Sequence, residues 1–204
     1  MSQPNKMRKL YKKMDATSKT RFHYSRRMKL HANLSTWTIV YISLVLILTS
    51  LLQAYGLGVN TTSKYLSLIQ VFSSITVLVY SLIINNNDYS SLSEKMYSCA
   101  SRINQLKMEA DPYVETDEIK NYSEISKKYQ SILDLYETVS IQDFRADYWR
   151  AKLEMPEDYV FTNPQKAKII FKIWMVYSLN FIQYPLIFIT YAIVVKWLWL
   201  GIAL

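Results

Sequence analysis

The chain has 204 residues, half of them hydrophobic, with 24 Lys and Arg against 16 Asp and Glu for a formal charge of +8, and only three Gly and one Cys. A lone Cys99 excludes an intramolecular disulfide and a cysteine-based metal site, and three glycines exclude a glycine-rich phosphate loop. The mean hydropathy of -0.01 averages polar blocks against apolar ones, so the distribution along the chain carries the information.

Met1 to Ser35 holds ten basic residues against one acid, Asp15. A cluster of this kind abutting an apolar run reads as a membrane-surface segment, with Arg21, Arg26, Arg27 and Lys29 at the lipid headgroups, where an anionic leaflet returns ~1 kcal/mol per basic residue. Nucleic acid is the competing partner for such a cluster, and position argues against it, so no direct nucleic-acid binding is expected. Positive flanks stay on the cytoplasmic side, which places the N-terminus inside. The first apolar run is too long for the h-region of a cleaved signal and has no small-x-small site, so it reads as a retained anchor. His23 and His31 have no carboxylate near them in sequence except Asp15 and are read as interfacial residues rather than an acid/base or metal pair.

Leu30 to Ser63 and Tyr65 to Asn87 are uncharged and apolar apart from polar punctuation, and the centre of the first, Trp37 to Leu57, has about the ~20 residues a spanning helix needs. Gly56 and Gly58 are expected to end the first helix, and Gly58 to Lys64 to form the extracytoplasmic turn of a hairpin. A third run, Ile173 to Val195, is again long enough to span. One soluble core enclosing three helices that are apolar all round is hard to build in a chain of this length. Polar residues within these runs recur on one face: Ser67, Gln70, Ser74 and Ser81 in the second; Thr36, Ser43 and Ser50, with Gln53 beside them, in the first; Tyr177, Asn180, Tyr184 and Tyr191 in the third. Such stripes serve either close helix packing or the lining of a hydrophilic path through an oligomer. Gln70 and Asn180 weigh most, because an amide in hydrocarbon needs a partner or water.

Residues 85–167 carry fifteen acidic and ten basic side chains and read as a solvated cytoplasmic block. Leu92, Met96, Cys99, Ile103 and Leu106 form one helical seam, broken at Asp111-Pro112. Thr116 or Asp117 is the expected cap of a second helix, whose seam is Ile119, Tyr122, Ile125, Tyr129, Ile132, Tyr136 and Val139. The two predict an antiparallel helical hairpin, followed by a short helix over Asp143 to Leu153 and a loop through Met155-Pro156 and Asn163-Pro164. The seams suit an intramolecular bundle and oligomerisation equally. Lys166, Lys168 and Lys172 hold the start of the third helix inside, leaving the tail after Lys196 outside. Glu115, Asp117 and Glu118 read as a helix start. A cluster such as Asp88, Glu94 and Arg102 lacks metal-ligand or nucleophile logic, so neither enzyme chemistry nor a cofactor is expected.

The run KTRFHYSRRMKLHANLSTWT, Lys19 to Thr38, leads straight into the two-helix hairpin. With Ala16 and Ile39 at its flanks it resembles the SLATT domain, the SMODS- and SLOG-associating two-transmembrane effector domain of bacterial conflict systems, in the subgroup with a KTRFHxxRRxKLHxxLSxWT signature. The resemblance is strongest over residues 15–110. The chain departs from that pattern in its third apolar segment and in Met28, where leucine or isoleucine is usual. The resemblance implies a pore-forming membrane effector in the bacterial inner membrane, triggered when a partner senses a nucleotide signal or invading nucleic acid and ending in cell death or dormancy. The sensor would be a protein encoded nearby, and the chain would form a homo-oligomer in the bilayer. The rival reading is a membrane-anchored scaffold or regulatory subunit without a pore.

The expected fold is thus an all-α multi-pass membrane protein in four parts. Residues 1–35 form a basic juxtamembrane helix, 36–87 a transmembrane hairpin, 88–167 a cytoplasmic helical region and 168–204 a C-terminal membrane helix.

Overall fold

The structure, a computed structural model, describes residues 6–60, 64–114, 119–136 and 141–200, with 119–120 and 141–143 described by their backbone alone. These residues form seven α-helices and one 3-10 turn, with no β-strand among them. The expected caps Thr116 and Asp117, and Val139 of the second seam, lie outside the described residues.

Helix α1 runs unbroken from Lys6 to Ala54, 49 residues that contain neither Gly nor Pro. A single 3-4 seam follows its whole length: Met7, Leu10, Met14, Thr17, Arg21, Tyr24, Met28, His31, Ser35, Thr38, Ile42, Val45, Thr49 and Leu52. Every member except the half-buried Thr17 is buried. Past Ala54 the chain turns on Gly56, at φ +66°, where Gly56 N–H donates to Gln53 O at 3.2 Å and Leu57 N–H to Leu52 O at 2.9 Å. This pair of bonds is a Schellman cap, and the left-handed φ at its centre is the reason for a glycine there.

Helix α2, Lys64–Asn87, ends at Asp88, whose φ of +37° is one that aspartate tolerates better than most residues. The chain then restarts as α3, Tyr89–Ala110. Pro112 stops α3 as expected, in a 3-10 turn at Asp111–Tyr113. Helices α4, Ile119–Leu135, and α5, Ile141–Leu153, follow. Asn163-Pro164, expected in a loop, instead opens α6, Asn163–Phe181, because proline in a first turn lacks only an N–H that has no intrahelical partner anyway.

The third apolar run is not one helix. It divides at Ile182 into α6 and α7, Gln183–Leu200, because Pro185 cannot donate to the carbonyl of Phe181 and its ring crowds that oxygen. The stretch long and apolar enough to span is therefore Gln183–Leu200 rather than Ile173 to Val195. Two others meet the same measure, Lys6–Ala54 and the run Lys64–Tyr113. This is an all-α membrane protein.

The expected four segments regroup into two compact units. The first combines the described residues of Met1–Lys29 with those of Ser90–Ser178. Its core packs Met7, Leu10 and Met14 of α1 against Cys99, Ile103, Leu106 and Ala110 of α3 and Ile125 and Tyr129 of α4. The basic arm, expected as a juxtamembrane helix, thus contributes its Met7, Leu10 and Met14 face to the core of a helical bundle. It runs antiparallel to α3 in a register set by side-chain pairs. Ser25 Oγ donates to Ser93 O at 2.8 Å, Ser18 Oγ to Ala100 O at 2.9 Å and Lys107 Nζ to Asp15 Oδ1 at 2.6 Å.

The second unit, the described residues of Leu30–Tyr89 and Leu179–Leu204, holds the C-terminal half of α1 with α2 and α7. Leu52, Leu66 and Leu198 meet at one end, where Asn60 Nδ2 and Val59 N–H donate to Trp197 O and Leu198 O. Near the other end Tyr184 OH bonds His31 and Ser35, so α7 runs parallel to α1. Large apolar side chains face outward, Trp37 at 66%, Phe72 at 67% and Leu186 at 60% exposure, while Ser35, Thr38 and Thr49 are buried. That is the inverse of a soluble bundle and what a hydrocarbon solvent favours.

Three outcomes follow for stability. Burial alone would raise the Asp15 carboxyl, but its bonds from Lys107 and Lys19 outweigh that and hold it below its usual value. Its contribution is therefore complete above the unfolded value near pH ~4 and is lost as pH falls through the lowered folded value. Asp15→Asn should flatten the acid side of the stability profile in thermal melts of detergent-solubilised protein. Asp147→Ala, which deprives buried Arg27 of its carboxylate, should cost about 3–5 kcal/mol in denaturant titrations. Asp158→Ala, which removes the partner of half-exposed Lys12, should cost less than about 1 kcal/mol.

Candidate functional site

The signature Lys19 to Thr38 is built into both units, each with its own polar cluster. In the first unit, Arg27 donates to Asp147 Oδ2 through Nε at 3.1 Å and Nη2 at 2.9 Å, while Tyr177 OH donates to Asp147 Oδ1 at 2.7 Å. Asp147 is fully buried. Burial first, and then the bond to Asp147 and its negative charge, push the Tyr177 hydroxyl up to about 12, so it stays a donor. Arg27 also lies 4.9 Å from the Tyr24 ring centroid. One turn earlier His23 Nε2 meets Glu154 Oε2 at 2.9 Å, and its Nδ1 is enclosed without a partner. Arg21 Nη1 donates to Cys99 Sγ at 3.0 Å.

The structure therefore divides the four residues expected at the membrane surface. Arg26 and Lys29 are exposed, whereas Arg21 and Arg27 turn into the bundle. A helix bearing alternating inward and outward cations has to satisfy the inward ones with protein groups, and that is how Asp147 is used. His23 and His31 are likewise buried rather than interfacial, and His23 does have a carboxylate partner, 131 residues away.

In the second unit His31 Nδ1 and Ser35 Oγ each lie 3.0 Å from Tyr184 OH, and the His31 ring stacks on Phe181 at 4.1 Å between centroids. Tyr177 and Tyr184, expected on one stripe, fall on different helices and serve different units.

The candidate effector surface is the hairpin of α1 and α2. Gln70 Nε2 donates to Gln53 Oε1 at 3.2 Å, an amide pair joining the two helices near their turn. Gln70, Ser74 and Ser50 share the wall of an open groove of about 640 Å³ with Leu46, Ile47, Leu51, Ala54 and Val71. Ser50 and Ser74 each donate to a carbonyl one turn back, to Leu46 O and Gln70 O, leaving oxygen lone pairs facing out. Ser67 is exposed and Ser43 and Ser81 are half-buried, all three outside the groove. The buried polar stripe of α1 is Ser35, Thr38 and Thr49, so the seven-residue spacing of Thr36, Ser43 and Ser50 is real but lies one position away from the packed face.

Sequence reasoning missed Asp147, Glu154 and the packing roles of Tyr177 and Tyr184, which sit 120 to 153 residues from most of their α1 partners. It also missed the seam from Met7 to Met28, whose 3-4 spacing is present in the sequence but is interrupted by Thr17 and Arg21.

The family model described as "SMODS and SLOG-associating 2TM effector domain family 5" matches residues 3–198. No curated protein and no solved structure matches the chain. Tyr184→Phe, which removes the hydroxyl bonded to His31 and Ser35, should lower stability by about 1–2 kcal/mol in thermal melts in lipid nanodiscs.

Proposed function

From a chain that belongs, over residues 3–198, to the SMODS and SLOG-associating two-transmembrane effector domain family 5, and so is a membrane effector of a defence or conflict system, we propose a pore-forming activity released by a partner sensor. The observation that carries this reading is the groove lined by Gln70, Ser50 and Ser74, with Gln53 bonded to Gln70, on a hairpin whose neighbouring side chains are apolar and outward-facing. Amides and hydroxyls left against lipid are costly, and a symmetric ring of hairpins that turns this groove inward would place them against water. A path lined by amides and hydroxyls without an ionised group would discriminate weakly among ions. In this reading the N-terminus is cytoplasmic, the chain sits in the bacterial inner membrane as a homo-oligomer, and the trigger is a separate protein encoded nearby.

The test is membrane potential, read with a potential-sensitive dye in bacteria that express the chain from a tight promoter with and without its neighbouring genes. Depolarisation is expected, autonomously or on triggering, and Gln70→Leu with Ser74→Leu should abolish it while the protein still inserts. A membrane that stays polarised under triggering, with the protein inserted, would overturn the pore and favour a scaffold.

A further inference from the structure

A pocket of about 320 Å³ opens in the first unit between α1 and α5, lined by Thr17, Thr20, Arg21, Phe144, Arg145 and Tyr148. Two of these six side chains are guanidiniums, and no ion pair among the described residues includes either. Arg145 is exposed, but Arg21 is 7% exposed. The hydrogen bonds of Arg21 among the described residues go only to sulfur, Cys99 Sγ at 3.0 Å and Met96 Sδ at 3.9 Å, both weak acceptors. Burial pushes the Cys99 thiol up, so Arg21 faces a neutral S–H rather than a thiolate. A guanidinium always carries its charge, and a buried charge without a counterion is costly.

The other Arg21 nitrogens are not sealed off. His23 Nδ1 is the one enclosed side-chain nitrogen or oxygen without a partner among the described residues, and Arg21 is among the residues that line the pocket. The Thr17 and Thr20 hydroxyls donate to Lys13 O and Ala16 O, so they shape the wall and the arginines supply the positive charge. Phe144 and Tyr148 stand one turn apart on α5 and present two rings on one side, with Arg21 6.0 Å from the Phe144 centroid.

We propose that this pocket binds a small soluble anion carrying a flat ring, of the class and size of a nucleoside monophosphate, with Arg21 and Arg145 on the phosphate and Phe144 and Tyr148 against the ring. Guanidinium forks match phosphate oxygens, and aromatic faces stack on bases of any identity. Inorganic phosphate would leave both rings and most of the volume unused. The site is built from residues of the first unit alone and does not depend on the pore reading.

The experiment is calorimetric titration of the full chain in phosphatidylcholine nanodiscs with adenosine, guanosine, cytidine and uridine monophosphates and with inorganic phosphate. Saturable binding of at least one nucleotide is expected, tenfold or more tighter than phosphate. It should weaken at least tenfold in Arg145→Ala and in Tyr148→Ala, two substitutions at exposed positions that leave the fold intact, and stay unchanged in Lys95→Ala. No saturable nucleotide binding at millimolar concentration, equal binding of phosphate, or full affinity in Arg145→Ala would each overturn the proposal. Repeating the titration in phosphatidylglycerol nanodiscs separates the sources of phosphate: unchanged binding supports a soluble ligand, while loss of nucleotide binding there assigns the pocket to a lipid headgroup and overturns it.

Discussion

A guanidinium cannot give up its charge inside a protein, and Arg27 is held in the interior of a helical bundle. Only a carboxylate brought to the same place makes that tolerable, and Asp147 is brought there, fully buried, with Tyr177 bonding its other oxygen. One ion pair therefore ties three helices, α1, α5 and α6, to a common point. Around it the other inward polar groups of α1 find their own partners: Ser25 with Ser93, Ser18 with the Ala100 carbonyl, His23 with Glu154. These bonds are directional, and the two made by serines set the register of α1 against α3 more narrowly than the methionines and leucine at its N-terminal end could.

The chemistry of α1 changes along a seam that never changes its period. Over Met7, Leu10 and Met14 the buried face is apolar and forms an ordinary core. From Thr17 to His31 it carries polar groups among Tyr24 and Met28, with Thr17 and His31 bonded to the Tyr129 and Tyr184 hydroxyls and Arg21 bonded only to sulfur. Over Ser35 to Leu52 it alternates hydroxyls with aliphatic side chains, while the outward positions, among them Trp37, Leu44, Ile47 and Leu51, are apolar and exposed. The same 3-4 spacing thus serves two solvents. In the first unit the apolar residues withdraw from water, and in the second the small hydroxylated residues pack inside because the surrounding lipid is as apolar as leucine.

The membrane effector assignment adds a role to what packing leaves over. Ser50, Gln53, Gln70 and Ser74 are polar and uncharged, and beyond the Gln53–Gln70 bond and the serine bonds to their own helices they make no contact among the described residues that buries them. Arg21 is the counterpart in the first unit, a buried cation whose described neighbours offer it sulfur and aromatic faces but no anion. Sites where local rules are broken without an internal reward are where external partners are to be sought.

Much was legible in the residues alone. The lengths of the first two apolar runs, Gly56 at the end of the first, Pro112 after α3 and the seams of α3 and α4 all depend on local backbone chemistry and helical period, which a single sequence states outright. So did the family signature at Lys19 to Thr38. Pro185 was visible as well, and the structure ends α6 at Phe181, whose carbonyl the proline cannot bond. What only tertiary structure decided was the direction in which each cation of that signature points. Arg26 and Arg27 are adjacent and chemically identical, yet one faces solvent and the other faces Asp147, because burial of a charge is settled by a partner 120 residues away and not by anything in the arginine itself.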